Sequence, residues 1–211
     1  MCVTGLTMID LATINALEGR FVRLRRLRVD DAEVTLRWRR SDRAALLNRG
    51  AGSVEAQARW IAARPADELN FVIELAAGGA PVGMLSLVAI DAGNARAEPA
   101  RFLIGEPARA EGVPVAAEAM LLLYELAFER LGLHRVHGTV ASDNKLMVKW
   151  QKYLGMVEEG RLREHYRLDG RVQDAVCLGL LAEEWRKVSR PRLRALVGGA
   201  AATVDGTARS T

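Results

Sequence analysis

One stretch of this chain constrains its fold more than any other. It reads Arg101-Phe102-Leu103-Ile104-Gly105-Glu106-Pro107-Ala108-Arg109-Ala110-Glu111-Gly112-Val113-Pro114 and continues into an apolar segment over 115–131. Residues 102–104 read as the end of a strand, 106–112 as a charged loop containing a glycine, and Pro114 as the first residue of a helix, where a missing N–H costs nothing. Unpaired N–H groups, the positive end of the helix dipole and Arg109 would then face one concavity, which suits an anion such as a pyrophosphate.

Length and hydrophobic content limit the class of protein. The chain has 211 residues, 50% of them hydrophobic, which fits one globular domain with a substantial core. No apolar run approaches the roughly 20 residues that a membrane span needs. The segment 1–19 contains Asp10 and Glu18 and lacks the basic start of a signal peptide. We therefore expect a cytoplasmic protein with no membrane association.

The positions of the cysteines and histidines, the net charge and the aromatic content limit the ligands and partners that we expect. Cys2 and Cys177 lie near opposite ends of the chain, and the three histidines have no metal-binding spacing, so we predict neither a disulfide nor a metal site. The net charge of +4 is compatible with an anionic ligand. Aromatic residues make up only 5% of the chain, too few for a platform that stacks bases, so no nucleic-acid partner is expected.

Hydrophobic periodicity predicts an α/β domain over 20–187, preceded by an N-terminal arm over 1–19 and followed by a mostly disordered tail over 188–211. Gly78-Gly79 predicts a hairpin turn between two strands, and Asp169-Gly170 predicts a second hairpin. In chain order, the first half is predicted to form a strand at about 21–27, a helix from Asp30 or Asp31 to 40, a helix from Ser53, and strands 69–76 and 81–90. The second half is predicted to form a strand ending at Gly105, helix 115–131, strand 134–140, a helix from Asp143 or Asn144 to about 153, and strands 157–163 and 172–181.

This order of elements, together with several short motifs, resembles the GNAT superfamily of acyl-coenzyme A N-acyltransferases over about residues 20–185. The motifs are Arg109-Ala110-Glu111-Gly112-Val113-Pro114, Leu133-His134-Arg135-Val136 leading to Asn144, Tyr153-Leu154-Gly155-Met156, and Glu158-Glu159-Gly160-Arg161-Leu162-Arg163 with Asp169-Gly170 and Asp174. The later motifs are most similar to the branch containing ribosomal-protein-alanine, spermidine and amino-sugar-nucleotide (pseudaminic acid pathway) acetyltransferases. The resemblance implies a mixed, mostly antiparallel central sheet of about seven strands, flanked by helices and splayed at its middle strands.

The resemblance also implies a function and a cosubstrate. It implies transfer of an acetyl group from acetyl-coenzyme A to a primary amine, by direct attack of the amine on the thioester. The loop would hold the pyrophosphate, and the strand before it would pair with the pantetheine arm. The residues assigned to acetyl-coenzyme A are Phe102, Leu103, Ile104, Gly105, Arg109, Ala110, Glu111, Gly112, Val113 and Asn144.

The catalytic groups follow from the same resemblance. Glu98 is the first candidate for the base that deprotonates the amine, and His137 on the next strand is the alternative. Asn144 is placed at the catalytic site, where it would contact the cofactor or an ordered water and also cap its helix. Family members often carry a tyrosine that protonates the departing thiolate, and this chain has Gln151 there. A thiol with a pKa of about 8.5 can still leave as the thiolate.

The acceptor and the partners are less constrained. Arg39 and Gln57 are assigned to acceptor binding by the resemblance, and Arg39, Arg40 and Arg43 together would suit an acidic or phosphorylated acceptor. The candidate acceptors are an amino sugar, which could be nucleotide-linked, another small amine, or a protein N-terminus. The sequence leaves open whether the chain forms a homodimer. The alternative function is a non-catalytic module that binds acyl-coenzyme A as a sensor or scaffold.

Overall fold

The structure is a computed structural model that describes residues 10–47 and 49–207, with side chains described as far as residue 199. Within these residues, eight strands form one sheet in the order β1-β2-β3-β4-β5-β6-β8-β7. All neighbouring strands are antiparallel except β5 and β6, which are parallel. The strands are β1 (Ala16–Glu18), β2 (Val22–Arg26), β3 (Leu69–Leu75), β4 (Pro81–Asp91), β5 (Arg96–Ile104), β6 (Arg135–Ala141), β7 (Val157–Leu168) and β8 (Arg171–Leu181).

Helices cover both faces of the sheet. On one face, Trp38 packs with Val72, Met84 and Leu103 in a small cluster. The larger core lies on the other face, where the central helix α3 packs against β2 and β3. The helices are α1 (Ala32–Arg40), α2 (Val54–Ala62), α3 (Val115–Glu125, continued by a wider turn over Leu126–Arg130), α4 (Lys145–Tyr153), α5 (Ala182–Glu184) and α6 (Arg190–Thr207). None of the described helices combines the length and the apolar character needed to cross a membrane.

The predicted fold class is confirmed: the sheet is mixed, mostly antiparallel, flanked by helices and splayed in its middle. Ser53 and Asn144 cap their helices as expected, because each side chain accepts a backbone N–H from its first turn, at 3.2 Å in both cases. The sheet has eight strands rather than about seven. The additional strand is β1, which pairs with β2.

Both ends of the chain differ from the expectation. Residues 10–19 belong to the domain, since Ile14 and Leu17 are buried in the core and β1 extends the sheet; residues 1–9 lie outside the described part. Within the predicted tail over 188–211, residues Arg190–Thr207 form α6, which packs against α3 through the fully buried Leu193, and residues 208–211 lie outside the described part. Three strand residues, or a single buried leucine among arginines, are too few to produce a recognisable period.

Glu118 fastens the β1–β2 turn to α3. Its carboxylate accepts the backbone N–H groups of Arg20, Phe21 and Val22 at 2.7 to 2.8 Å, and the side chain is 4% exposed. Charged acceptors form stronger hydrogen bonds than neutral ones. This buried carboxylate therefore stabilises the edge of the sheet.

Candidate active site

The sheet opens between its two parallel strands. β5 and β6 are paired only at Arg96 with Arg135 and at Ala97 with Val136, whereas β6 remains paired with β8 along its whole length. Pro99 follows the last pair, and a proline inside a sheet cannot donate a ladder hydrogen bond. The two strands therefore separate and leave a gap in the middle of the sheet.

A cavity of about 620 Å³ occupies this gap, and we call it the splay cavity. Its walls come from both faces of the sheet: α1, the loop after it and α2 on one side, and α4 on the other. Residues 98–102 of β5 and 139–141 of β6 form the rim between them, and β7 contributes Tyr166 and Leu168. The cavity thus connects the two faces, so that two ligands could meet in it from opposite sides.

Glu98 lies at the start of this opening. It is half-buried and packs against Gly138 of β6, where a Cβ atom would stand 3.3 Å from the Glu98 Cγ. Burial raises the pKa of Glu98, and the charges of Arg101 and His165 act in the opposite direction. Within the described residues, the carboxyl group makes no hydrogen bond and no ion pair. The group is therefore available to accept a proton from a ligand.

The alternative base is less well placed. His137 is not among the described residues that line the splay cavity. Burial lowers its pKa, and the positive charges of Arg135 and Arg96 lower it further. The geometry thus favours Glu98 over His137 as the proton acceptor.

The loop after β5, for which an anion-binding role is predicted, has open space at its glycine. Gly112 has φ +72°, and a Cβ atom there would meet no heavy atom within 4 Å. Within the described chain, the N–H groups of Glu111 and Gly112 have no hydrogen-bond acceptor. Arg109 is exposed at the same loop. The loop therefore offers free N–H groups, open space and one guanidinium near the N-terminus of α3.

Some loop and strand residues have other roles than the ones expected. The N–H groups of Arg109, Ala110 and Val113 are used inside the loop, where they bond to the carbonyls of residues 106, 107 and 110. A Cβ atom on Gly105 would stand 2.2 Å from the Trp38 ring, so this glycine is needed for α1 to pack on β5. Fewer backbone donors face outward than the sequence suggested.

The end of β5 is held from the α1 side. Trp38 Nε1 and Arg37 Nη2 donate to Glu106 Oε1 at 2.8 and 2.6 Å. The Leu103 side chain is buried in the cluster around Trp38, whereas Phe102 lines the splay cavity. A bulge in the β4–β5 pairing leaves Arg101 with φ +55°, and a bulge of this kind re-aims the side chains around it.

On the α4 side, Asn144, Met147 and Gln151 line the cavity. Asn144 lies at the helix N-terminus and Gln151 is 7% exposed. The hydroxyl of the fully buried Tyr124 donates to Gln151 Oε1 at 3.2 Å. The position at which family members often have an acid is thus occupied by an amide that is fixed by a neighbouring tyrosine.

On the α1 side, the two residues assigned to the acceptor both line the cavity, but their contacts differ. Gln57 donates to Thr35 Oγ1 at 3.2 Å and accepts the Ala51 N–H at 3.4 Å, so its amide fastens the loop to α1. Arg39 is largely buried, and burial lowers its pKa, as does the like charge of Arg101. Arg39 brings a charged group to this wall and is a candidate for contact with an anionic ligand.

The expected group of three arginines does not assemble. Arg40 donates to the carbonyls of Ala51 and Gly52, and Arg43 donates to the carbonyl of Ile104. Neither is among the described residues that line the cavity. The sequence did not indicate Arg101 and Tyr166, which do line it, because each is placed by contacts with residues distant in sequence.

The described residues contain no group of three or more His, Cys, Asp or Glu side chains that could hold a metal ion. Charged groups at the splay cavity are instead arginines and one glutamate. This donor set suits anionic and amine ligands better than a cation that needs oxygen or sulfur ligands.

Comparisons with known proteins agree with this geometry. A family model described as an acetyltransferase (GNAT) domain matches residues 22–157. A Bacillus subtilis (strain 168) protein, YdaF, named as a candidate ribosomal N-acetyltransferase, is 34% identical over 107 residues, which are 51% of this chain and 57% of that protein. The match therefore spans little more than half the length of that relative.

Solved structures share the fold over most of their length. A candidate acetyltransferase from T. thermophilus is 31% identical with a TM-score of 0.70, over 86% of this chain and 96% of its own. A spermidine N-acetyltransferase SpeG chimera from Vibrio cholerae and hSSAT is 23% identical with a TM-score of 0.70, over 79% of this chain and 98% of its own. At that lower identity the similarity shows the fold alone.

Proposed function

This chain belongs to the acetyltransferase (GNAT) family, and we propose from that premise that it transfers an acetyl group from acetyl-coenzyme A to a primary amine. The observation that carries the proposal is the splay cavity, which joins the two faces of the sheet and contains a carboxyl group with a raised pKa. Such a cavity would let the thioester approach from the α4 side and the amine from the α1 side.

The loop over 109–113 is the proposed site of the coenzyme's pyrophosphate. The free N–H groups of Glu111 and Gly112 would donate to the phosphate oxygens, the Arg109 side chain would add a charge, and the positive end of α3 would favour the anion. The pantetheine arm would then lie along the edge of β5 that β6 leaves unpaired, where strand-like pairing with its amides is available.

The chemistry proposed for the cavity is direct transfer. Glu98 takes the proton from the attacking amine, so that the nitrogen carries a free lone pair when it reaches the thioester carbon. The oxyanion needs an N–H donor from β5. Phe102 lies beside the bulge and Leu103 is paired with Met84, which favours Phe102. The carbon–sulfur bond then breaks, and the sulfur leaves as a thiolate, which needs no acid at a pKa of about 8.5.

A small amine is the first candidate acceptor. Arg49, in the loop after α1, donates from Nε and Nη2 to both carboxylate oxygens of Asp169 in the β7–β8 turn, at 2.6 Å each. Residues of this loop and of β7 both line the splay cavity, so the bridge would limit access to it on the α1 side. A protein N-terminus is the second candidate, and the name of the Bacillus subtilis relative is what favours it.

The test is release of free thiol from acetyl-coenzyme A in the presence of a panel of primary amines, alongside calorimetry with coenzyme A. Turnover of at least one amine supports the transferase. Tight coenzyme binding without turnover of any amine would support the alternative, a non-catalytic acyl-coenzyme A-binding module, for which the amide of Gln151 in place of an acid is the observation in favour.

A further inference from the structure

The charged wall of the splay cavity is predominantly positive. Among the described residues that line it, the charged side chains are Arg39, Arg49, Arg101 and Glu98. Because the pKa of Glu98 is raised by burial, the one acidic group is more readily neutral than an ordinary glutamate. Arg49 pairs with Asp169 and Arg101 pairs with Glu68, and neither carboxylate is among these lining residues.

Arg101 is held rigidly in this wall. Its Nη1 donates to Asn70 Oδ1 at 2.9 Å and to Glu68 Oε2 at 3.0 Å, and its Nη2 donates to Glu68 Oε1 at 3.2 Å. The guanidinium carbon also lies 5.3 Å from the centre of the Trp60 ring. A guanidinium fixed in this way loses little further freedom when it binds a ligand, which favours affinity.

Arg39 reaches the cavity from α1. It lines the same cavity, it is largely buried, and the positive charge of Arg101 reaches it strongly enough to lower its pKa. Two like charges that share a partly desolvated cavity repel each other. An anion between or beside them would remove that repulsion, and guanidinium groups match the geometry of carboxylate and phosphate oxygens.

We propose that Arg39 and Arg101 form an anion subsite for the acceptor, so that the acceptor is a small amine that also carries a phosphate or carboxylate group. This inference rests on the proposed function, since it assigns the acceptor of the same reaction. It excludes a polyamine as the preferred acceptor, because additional positive charges would face the arginines.

The experiment compares primary amines that differ in charge: O-phosphoethanolamine and β-alanine each carry an anionic group, ethanolamine carries none, and spermidine carries further positive charges. Each is tested for thiol release with acetyl-coenzyme A, and for binding by calorimetry to protein saturated with coenzyme A. We expect O-phosphoethanolamine or β-alanine to bind at least about tenfold more tightly than ethanolamine, the scale of one charged hydrogen bond.

Two variants locate the preference. Arg39→Gln should reduce it to less than about twofold, because one guanidinium of the subsite is gone. Arg59→Gln is the matched control, since it removes an exposed arginine of α2 that is not among the lining residues, and it should keep the preference. Both variants should keep the wild-type affinity for coenzyme A, which shows that they are folded.

Three results would overturn the subsite. One is equal or better binding of ethanolamine or spermidine, another is a preference that survives in Arg39→Gln, and the third is failure of both O-phosphoethanolamine and β-alanine to bind. The proposed transferase would stand in all three cases if ethanolamine or spermidine were acetylated. It would fall separately if coenzyme A failed to bind to the wild-type protein.

Discussion

Two glutamates of this protein have opposite surroundings: Glu118 of α3 is buried against the turn between β1 and β2, and Glu98 of β5 is half-buried at the splay between β5 and β6. Glu118 accepts three backbone N–H groups. Glu98 makes no hydrogen bond or ion pair with the described residues, and burial raises its pKa. The Glu118 carboxylate is thus fully hydrogen-bonded, whereas the Glu98 carboxyl group is left without a hydrogen-bond partner among the described residues.

The difference separates a residue that supports the fold from one that can support chemistry. A carboxylate with three charge-assisted hydrogen bonds stabilises the protein and has little capacity left for a substrate. A half-buried carboxyl group without partners destabilises the folded state in its charged form and is able to take a proton.

The largest effect should come from the pyrophosphate loop. Gly112→Glu is expected to weaken coenzyme A binding by more than about 100-fold, or about 2.7 kcal/mol, because a carboxylate would fill the open space in which the phosphates are proposed to lie. Calorimetry measures the affinity. Gly78→Glu is the matched control, since Gly78 also has a positive φ, of 82°, and open space, but lies in the β3–β4 hairpin. Equal affinity in both variants would mean that the loop does not bind the pyrophosphate.

Glu98→Gln should reduce kcat by about 10²- to 10⁴-fold, the usual contribution of a general base, with unchanged affinity for coenzyme A. At neutral pH the variant should be slightly more stable than the wild type, because it removes a charge without partners from a partly buried site. Steady-state kinetics and thermal unfolding test the two halves. A variant that keeps full activity would exclude Glu98 as the base.

Glu118→Gln should show the opposite behaviour. An amide can accept at one oxygen only and would bring its own N–H groups against the donors, so we expect a loss of about 2 to 3 kcal/mol of unfolding free energy. That corresponds to a fall in Tm of roughly 5–10 °C for a domain of this size. The kcat of the folded variant should not change. A large loss of kcat without loss of stability would mean that Glu118 acts in catalysis and not in supporting the fold.

The raised pKa of Glu98 determines how activity and stability should depend on pH. Because its pKa is raised in the folded protein, kcat/KM should rise with pH through a value above the ordinary glutamate pKa, as the base becomes ionised. The stability that the neutral form contributes is complete below the unfolded-state pKa and is lost as pH rises through the folded-state pKa. Glu98→Gln should remove this limb of the pH–rate profile, and a limb that remains would belong to another group.

The smallest effect is expected at the bridge between Arg49 and Asp169. Both side chains are about half exposed, and exposed ion pairs contribute little to stability. Arg49→Ala should therefore leave Tm and coenzyme affinity unchanged and widen the range of amines accepted. An acceptor profile identical to that of the wild type would mean that the bridge does not limit entry.

The sequence predicted the contrast only in part. Local signals identified the loop around Gly112, the caps at Ser53 and Asn144 and the order of the strands, because each depends on residues close together in the chain. They could not identify β1 or α6, whose stability comes from packing against distant elements. Local sequence could not distinguish the surroundings of Glu98 from those of Glu118 either, since they are formed by residues up to 98 positions away.

The arginines of the splay cavity could not be identified from local sequence either. Arg39, Arg40 and Arg43 look equivalent on a helical pattern, but in the structure Arg40 and Arg43 bind backbone carbonyls and only Arg39 of the three is among the described lining residues. Arg101 enters the wall because a bulge and Glu68 orient it. Neither effect leaves a trace in the local sequence.

In the proposed complex, the diphosphate of acetyl-coenzyme A binds at the loop before α3 and the pantetheine arm enters the splay. Titration of ¹⁵N-labelled protein with coenzyme A, followed by amide NMR, reports on both contacts. We expect large, saturable shifts of the amide signals of Glu111, Gly112 and the β5 residues beyond Ala97 other than Pro99, with the Gly78 signal unchanged. Saturation of the protein without shifts at Glu111 and Gly112 would mean that the diphosphate does not bind at this loop.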